Sequence, residues 1–286
     1  MTLSRKEILE RLWAEIERGR PIIISSAGNG FFASMMDKAG IDIIGVYNSG
    51  YGRQIGIGSL SGLLPIFDTN RLVIRMGYEI LPRVKNAFVI AGVCAQDPKT
   101  IWKRYLKKLI DMGFSGIMNF PTVGLIDKNS LFRINLEESG FGYDKEVELI
   151  KLAHDMDIFT IAYCFTPDEV KVMAEAGADV IAVHVGLTTG GLIGAKTTVS
   201  IEEAIKRTNE LLAVAYKVRP KGDFIPITHG GPMGDPESLQ KVLEATEAAG
   251  FVSGSAIERT PIEPFLIDVC KKFKNVRMRG PTIKPS

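Results

Sequence analysis

Residues 158–185, IFTIAYCFTPDEVKVMAEAGADVIAVHV, carry the pattern that decides the fold. An apolar run at 158–163 gives way to Thr166-Pro167, a capping hydroxyl in front of a proline suited to the first helical position. A helical pattern follows over 167–176, and Gly177 accepts the left-handed conformation that closes a helix. A second apolar run then occupies 180–185. Runs that are apolar throughout, rather than alternating with polar residues, mark parallel strands covered on both faces. The stretch reads strand–helix–strand, with the helix as crossover.

Outward from it the same unit recurs. The expected strands are 21–26, 41–47, 87–93, 116–120, 158–163, 180–185, 224–228 and 251–255. The expected helices are 31–39, 70–84, 100–112, 144–155, 167–176, 201–216, 236–249 and 262–273. Ala39-Gly40, Met112-Gly113 and Ala249-Gly250 repeat the helix ending, and Asp97-Pro98, Asp235-Pro236 and Thr260-Pro261 repeat the start. Eight such units have a closed solution, the (β/α)8 or TIM barrel, which typically takes about 250 residues. The competitor is an open doubly wound sheet, which carries a glycine fingerprint after its first strand; Ser25-Ser26-Ala27-Gly28-Asn29-Gly30 matches that only in part. The expectation is one α/β domain over 1–286: a leading helix in 1–20, the barrel in 21–276 and a tail in 277–286.

Composition narrows the functional classes. Of 286 residues, 45% are hydrophobic and 24% charged, which excludes a disordered or fibrous chain. Lys+Arg total 35 against 33 Asp+Glu, a net charge of +2, so nucleic acid held by phosphate neutralisation is not an expected partner. No apolar run approaches the roughly 18 residues of a membrane span. The opening MTLSRKEILERLWAEIERGR is an amphipathic charged helix without the apolar centre of a secretory signal. Cys94, Cys164 and Cys270 are odd in number and far apart, which fits reduced thiols of the cytoplasm.

In such a barrel the chemistry sits at the carboxyl ends of the strands. The residues there are Ser25, Ser26 and Gly28; Tyr47 and Asn48; Cys94 and Asp97; Asn119; Tyr163 and Cys164; His184; His229, Gly230 and Gly231; and Ser255, Glu258 and Arg259. His184 and His229 are candidates for acid–base work, because an unperturbed imidazole titrates near neutrality. The blander reading is a structural hydrogen bond, and the location favours function; His154, on a helix, reads as a surface residue. Thr228-His229-Gly230-Gly231-Pro232 offers backbone N–H groups to an anion, or the glycines serve only the turn. The loop at 48–62, rich in glycine but interleaved with Ile and Leu, reads as a lid, with Arg53 able to pair with a carboxylate or phosphate. The second long loop, 121–142, holds Asp127, Arg133, Glu137 and Glu138; its Glu pair reads as a solvated helix start before a cation site. Residues 190–197, GGLIGAKT, fail the P-loop pattern because Ala195 replaces a required glycine. Of the strand-end thiols, Cys164 reads as a small buried hydrophobe, and Cys94 stays a candidate nucleophile.

Longer motifs then point to a family. Val46-Tyr47-Asn48-Ser49-Gly50, Ala91-Gly92-Val93-Cys94 with Asp97-Pro98, NFPTVGLID at 119–127, HVGLTTGG at 184–191, His229-Gly230-Gly231-Pro232 and Ser255-Ala256-Ile257-Glu258-Arg259 resemble the phosphoenolpyruvate hydrolase-like family of TIM barrels. The resemblance runs from the first strand to the eighth helix, and extends to the barrel part of a plant antiviral resistance protein. It implies membership of the phosphoenolpyruvate/pyruvate barrel superfamily, whose enzymes hold a 2-oxo acid or its enol on magnesium and stabilise an enolate-like species. The closely spaced aspartates of the mutase branch and the Lys-Lys-Cys-Gly-His signature of isocitrate lyase have no counterpart here.

The resemblance, taken with strand-end position, implies an enzyme acting on phosphoenolpyruvate, phosphonopyruvate or a related small 2-oxo acid by hydrolysis or C–C or C–P cleavage. In that reading Ser26, Asn48, Arg53, His229, Gly230, Gly231 and Arg259 bind the substrate. Asp97 holds a magnesium ion, Asn119 polarises the substrate oxygen, His184 or Glu258 moves protons, and Cys94 completes the catalytic set. Association of copies through the last helices is implied by the same analogy. The alternative is a barrel that binds a ligand or a protein without turnover. A lysine Schiff-base aldolase is disfavoured because no lysine ends an expected strand.

Overall fold

The computed structural model describes residues 3–277. Eight parallel strands close into a barrel in sequence order: β1 (Ile22–Ser26), β2 (Ile43–Val46), β3 (Phe88–Gly92), β4 (Gly116–Met118), β5 (Phe159–Cys164), β6 (Val180–His184), β7 (Ile225–His229) and β8 (Gly250–Val252). The open sheet is thereby excluded, because β8 pairs with β1 in the register Ile22↔Gly250 and Ile24↔Val252. At that seam a Cβ on residue 250 would sit 2.2 Å from the Ile22 carbonyl oxygen, so only glycine admits the approach. The tail expected beyond residue 277 lies outside the described residues.

The crossovers are α2 (Gly30–Lys38), α4 (Thr69–Ile80), α5 (Trp102–Met112), α7 (Asp144–Asp155), α8 (Pro167–Glu175), α9 (Ile201–Val218) and α10 (Pro236–Glu244), with α12 (Ile262–Lys274) after β8. Capping follows the sequence signals at two of the four cap–proline pairs: Thr166 accepts from the Glu169 N–H and Asp235 from the Ser238 N–H. By contrast, α5 and α12 start after Asp97-Pro98 and Thr260-Pro261 without a side-chain cap, and Gly250 belongs to β8 rather than to the end of α10. Both long loops contain helix. The lid region begins with α3 (Asn48–Gln54) and a 3-10 turn at Ser59–Leu63, and the fourth loop carries α6 (Leu131–Glu138). A further short helix, α11 (Ser255–Glu258), starts where the eighth strand was expected to continue.

Two apolar layers hold the barrel, sorted by the two-residue period of a strand. Ile44, Val89, Ala91, Ala162, Ile181 and Val183 face outward into the helices. Ile24, Ile43, Ile90, Ile161, Val180, Ala182, Ile225 and Ile227 face inward. The leading helix α1 (Arg5–Glu17) belongs to the inner layer: its fully buried Ile8 and Leu12 stop the amino-terminal end of the barrel. A polar tie fixes it there. Asp179, at the start of β6, accepts Arg5 Nε at 2.8 Å and the Thr160 backbone N–H at 2.9 Å while itself buried.

Asp179→Ala removes the acceptor and leaves a buried N–H unpaired. A loss of about 2–3 kcal/mol in stability is expected, read as a lower urea midpoint at unchanged slope. A change below about 0.5 kcal/mol, the range of ordinary surface substitutions, would show that the tie is incidental.

Candidate functional site

Parity along the strands decides which residues reach the mouth. Continuing the inward set by two residues places Ser26, Tyr47, Phe120, Tyr163, His184 and His229 at the carboxyl end, while Asn48, Asn119 and Cys164 fall on the outward parity. The β6–β7 register sets His184 directly beside His229, with ring centroids 4.3 Å apart. Tyr163 lies against both, at 5.8 and 5.2 Å, and Phe165 covers His184 at 4.7 Å. Glycines make room: a Cβ on Gly254 would meet His229 Cε1 at 3.0 Å, and one on Gly92 would meet Tyr47 Cβ at 2.4 Å.

Above this aromatic floor opens a cavity of about 460 Å³. Its polar lining includes Tyr47, Ser49, Arg53, Ser59, Ser61, Tyr163, His184 and His229. Its walls are apolar, with Ile57, Leu60, Leu64 and Ile66 on the loop after α3 and Leu187 and Ile193 on the loop after β6. Among the described lining residues, Arg53 alone carries a charge. Ser61 is buried, and its hydroxyl has no hydrogen-bond partner among the described residues. A buried hydroxyl in that state costs free energy unless something else satisfies it.

The two imidazoles present complementary groups. His184 Nδ1 accepts the Gly186 backbone N–H at 3.2 Å, which assigns its proton to Nε2. His229 Nδ1 faces the Val252 carbonyl, which can only accept, so its proton sits on Nδ1 and Nε2 keeps a lone pair. Burial, reinforced by the neighbouring ring, holds His184 well below the ordinary imidazole range. Burial lowers His229 to about 4, with the Val252 carbonyl opposing and Arg53 assisting. Both rings are neutral at neutral pH, one offering an N–H and the other a basic nitrogen.

Arg53 is already engaged. Its Nε and Nη2 reach Glu258 Oε2 at 2.8 and 2.7 Å, Nη1 donates to Ser59 Oγ at 2.9 Å, and Nη2 also donates to the Ser26 hydroxyl. Glu258 further accepts the Gly28 N–H at 2.7 Å and Gln54 Nε2 at 2.8 Å, with the Ser26 hydroxyl at 2.9 Å. The pair ties α3 to α11 and so spans the β1–β8 seam from above. Both side chains are almost wholly buried, so neither is an idle charge awaiting an anion or a proton.

The other expected site residues are committed elsewhere. Asp97 accepts the Lys99 N–H at 3.0 Å, the Thr100 hydroxyl at 2.6 Å and Asn70 Nδ2 at 3.3 Å, away from the cavity. No cluster of three or more His, Cys, Asp or Glu suited to a metal occurs among the described residues. The donor set therefore does not fit a divalent cation at Asp97: its carboxylate is taken up by protein donors, and Glu258 is saturated in the same way. Asn119 is a buried brace, donating to Glu146 Oε2 at 2.6 Å and accepting the Tyr163 N–H at 2.7 Å. Asn48 donates to the Gly62 carbonyl at 2.9 Å and Thr69 Oγ1 at 2.8 Å. Burial pushes the Cys94 thiol up to about 11, so it stays protonated at neutral pH. Gly231 spends its N–H on the Gly186 carbonyl at 2.8 Å, and a Cβ on Gly230 would lie 1.9 Å from that oxygen. Close approach therefore accounts for Gly230, and a left-handed φ of 61° for Gly231. Arg259 pairs with Glu263 at 3.1 Å beneath the glycines of the 190–194 segment.

Sequence reasoning placed Tyr47 and Tyr163 at strand ends without giving them a role, and passed over Ser61 and Glu146. Burial raises Glu146 to about 7 against hydrogen bonds that include Gln96 Nε2, the Val123 N–H and Asn119 Nδ2. It joins the loops after β3 and β4 to α7 behind the floor without lining the cavity.

Glu258→Gln leaves the Arg53 guanidinium buried beside a neutral amide. The loss expected is about 3–5 kcal/mol of stability, measured by chemical denaturation. A variant as stable as the parent would reopen a free, chemical role for this carboxylate.

Several curated relatives match nearly the whole chain. A ToMV resistance protein, Tm-1(GCR237), of Solanum lycopersicum is 46% identical over 276 residues, 96% of this chain and 36% of the tomato protein. A putative transcriptional regulatory protein, y4pA, of Sinorhizobium fredii is 30% identical over 275 residues, 96% of this chain and 44% of that protein. The chain thus spans less than half the length of either. Solved structures with the same fold include a phosphoenolpyruvate phosphomutase from Streptomyces platensis subsp. rosaceus, with TM-score 0.58, 15% identity and coverage of 93% of this chain and 86% of that one. A phosphonopyruvate hydrolase bound to oxalate and Mg++ gives TM-score 0.56 and 16% identity over 94% of this chain and 85% of that one. The model of the phosphoenolpyruvate hydrolase-like family matches residues 7–276, and the chain belongs to that family.

Proposed function

We propose that the protein is an enzyme that cleaves a C–C bond in a small 2-oxo acid through an enolate-like species, with His184 and His229 as its acid–base pair. The carrying observation is the pair itself: two neutral imidazoles of opposite hydrogen-bonding sense, side by side in the floor of the cavity at the barrel mouth. Enolate formation needs both functions at one point, a donor to the oxygen that gains charge and a base for the proton that leaves. His184 Nε2–H supplies the donor to the 2-oxo oxygen. His229 Nε2 takes the proton from the hydroxyl on C4, which becomes a carbonyl as the C3–C4 bond breaks and its electrons enter the enolate, and the imidazolium returns the proton to C3. Family membership supports the reading, as do superfamily-like barrels whose names describe a mutase, a hydrolase and a lyase. Phosphate or phosphonate transfer has less support, because the cation in the cavity is already neutralised by Glu258.

Copies of the chain are proposed to associate through α12, which buries none of its residues and exposes Phe265, Leu266 and Phe273. Sedimentation at micromolar concentration should give a mass above that of one chain; a monomer there removes the proposal.

The pH dependence has a fixed sign. An unfolded imidazole takes a proton near 6.5, and the folded His229 only near 4. The unfolded state therefore binds more protons between those values, and stability falls as pH drops through that window. The acidic limb of kcat/KM should lie below about pH 5 rather than near 6.5. His229→Gln should lower kcat by about 100-fold or more on a 4-hydroxy-2-oxo acid, and His184→Gln by a similar factor. Binding of such acids without product would favour the non-catalytic reading, and full turnover by both variants would remove the assignment.

A further inference from the structure

We infer that the substrate carries an apolar arm of several carbons, which runs from the histidine pair up between the loop after α3 and the loop after β6; this rests on the proposed reading of the floor. The cavity is far larger than a three-carbon acid needs: at about 460 Å³ it falls in the range that takes drug-sized ligands. The floor is formed by Tyr163, His184 and His229 at the strand ends, while Leu60, Leu64, Ile66, Leu187 and Ile193 line the loops, interspersed with Ser49, Ser59, Thr188 and Ser255.

Exposure of those walls is the second observation. Leu60, Leu64 and Ile66 are 47%, 57% and 50% exposed although they border a cavity. Apolar side chains grouped at the rim of a pocket mark a surface that a ligand covers. The two walls also meet. A Cβ on Gly58 would come within 3.0 Å of the Ile193 carbonyl oxygen, so the two loops lie against each other at that point. Electrostatics agree: with Arg53 paired to Glu258 and both imidazoles neutral, no unpaired charge lines the channel among the described residues. A multiply charged phosphate would lose more hydration there than a single carboxylate, which the neutral donors of the floor can hydrogen-bond. A 2-oxo acid with an aliphatic or aromatic tail keeps its polar end at the floor and buries its tail against the leucines.

The test is binding of a chain-length series by titration calorimetry on the intact protein. The probes are pyruvate, 2-oxobutanoate, 2-oxohexanoate and 2-oxooctanoate, with octanoate as the control that lacks the oxo group. Affinity should rise by up to about four-fold per added methylene, and Leu64→Ser or Ile66→Ser should flatten the rise. Both positions are half-exposed, so the variants spare the core, and an unchanged melting temperature checks this. Affinity that is flat from pyruvate to 2-oxooctanoate overturns the inference while leaving the acid–base reading intact. Octanoate binding as tightly as 2-oxooctanoate, with His184→Gln without effect, keeps the channel and overturns the reading of the floor.

Discussion

Closure of the sheet between β8 and β1 is the constraint on which the molecule depends. In an open sheet the carboxyl ends of first and last strands stand far apart; here Ser26 of β1 and residues just after β8 meet over one seam. The backbone can close there because residue 250 has no side chain to obstruct the Ile22 carbonyl. The Arg53–Glu258 pair then bridges the same seam from above, using residues far apart in the chain, 53 and 258. A buried pair is weak grounds for stability in general, since desolvation offsets most of the attraction. This one is accompanied by hydrogen bonds from Ser26, Gly28 and Gln54, which is the condition under which burial of two charges becomes tolerable.

Closure also sets the chemistry of the floor. A ring of strands excludes water from its own end, and a dry site penalises the charged form of every group it holds. Both imidazoles are accordingly held neutral, and their tautomers are fixed by backbone partners, the Gly186 N–H and the Val252 carbonyl. No side-chain carboxylate is needed to orient them. The same dryness that removes them as charge sensors near neutrality makes a hydrogen bond to a developing oxyanion stronger.

The fold was legible because a parallel barrel writes itself locally: an apolar run and a periodic helix, repeated eight times, with a cap–proline start in four units and a glycine end in four. The site was legible only in part. His184 and His229 were found because strand ends in this architecture carry chemistry, but strand-end position alone cannot tell inside from outside. The two-residue period can, and counting it from Val180 and Ile225 leads to both histidines, as counting from Ile43 and Phe159 leads to Tyr47 and Tyr163. The same count puts Asn119 and Asn48 on the other face, where they brace loops. Glu146 left its own mark, a carboxylate at the first position of the buried stripe Glu146, Leu149, Ile150, Ala153 on α7. What no local pattern reveals is saturation: Arg53 reads as an anion site until its partner, 205 residues away, is placed beside it.

The distance between fold and chemistry follows from the same saturation. At 15–16% identity the likeness to the phosphomutase and to the phosphonopyruvate hydrolase fixes the barrel and nothing about its mouth. A fold keeps its reactive end for geometric reasons, because strand ends and long loops converge there whatever residues they carry. The residues then choose the electrostatics. Here the acidic and basic groups nearest the seam were spent on each other, the carboxylate at Asp97 on its own turn, and the floor was left to neutral donors and acceptors beneath apolar walls. A cavity so lined discriminates by shape and hydrogen-bonding sense, since it presents no unpaired charge to attract an ion, and its selectivity is therefore set by the loops that form its walls.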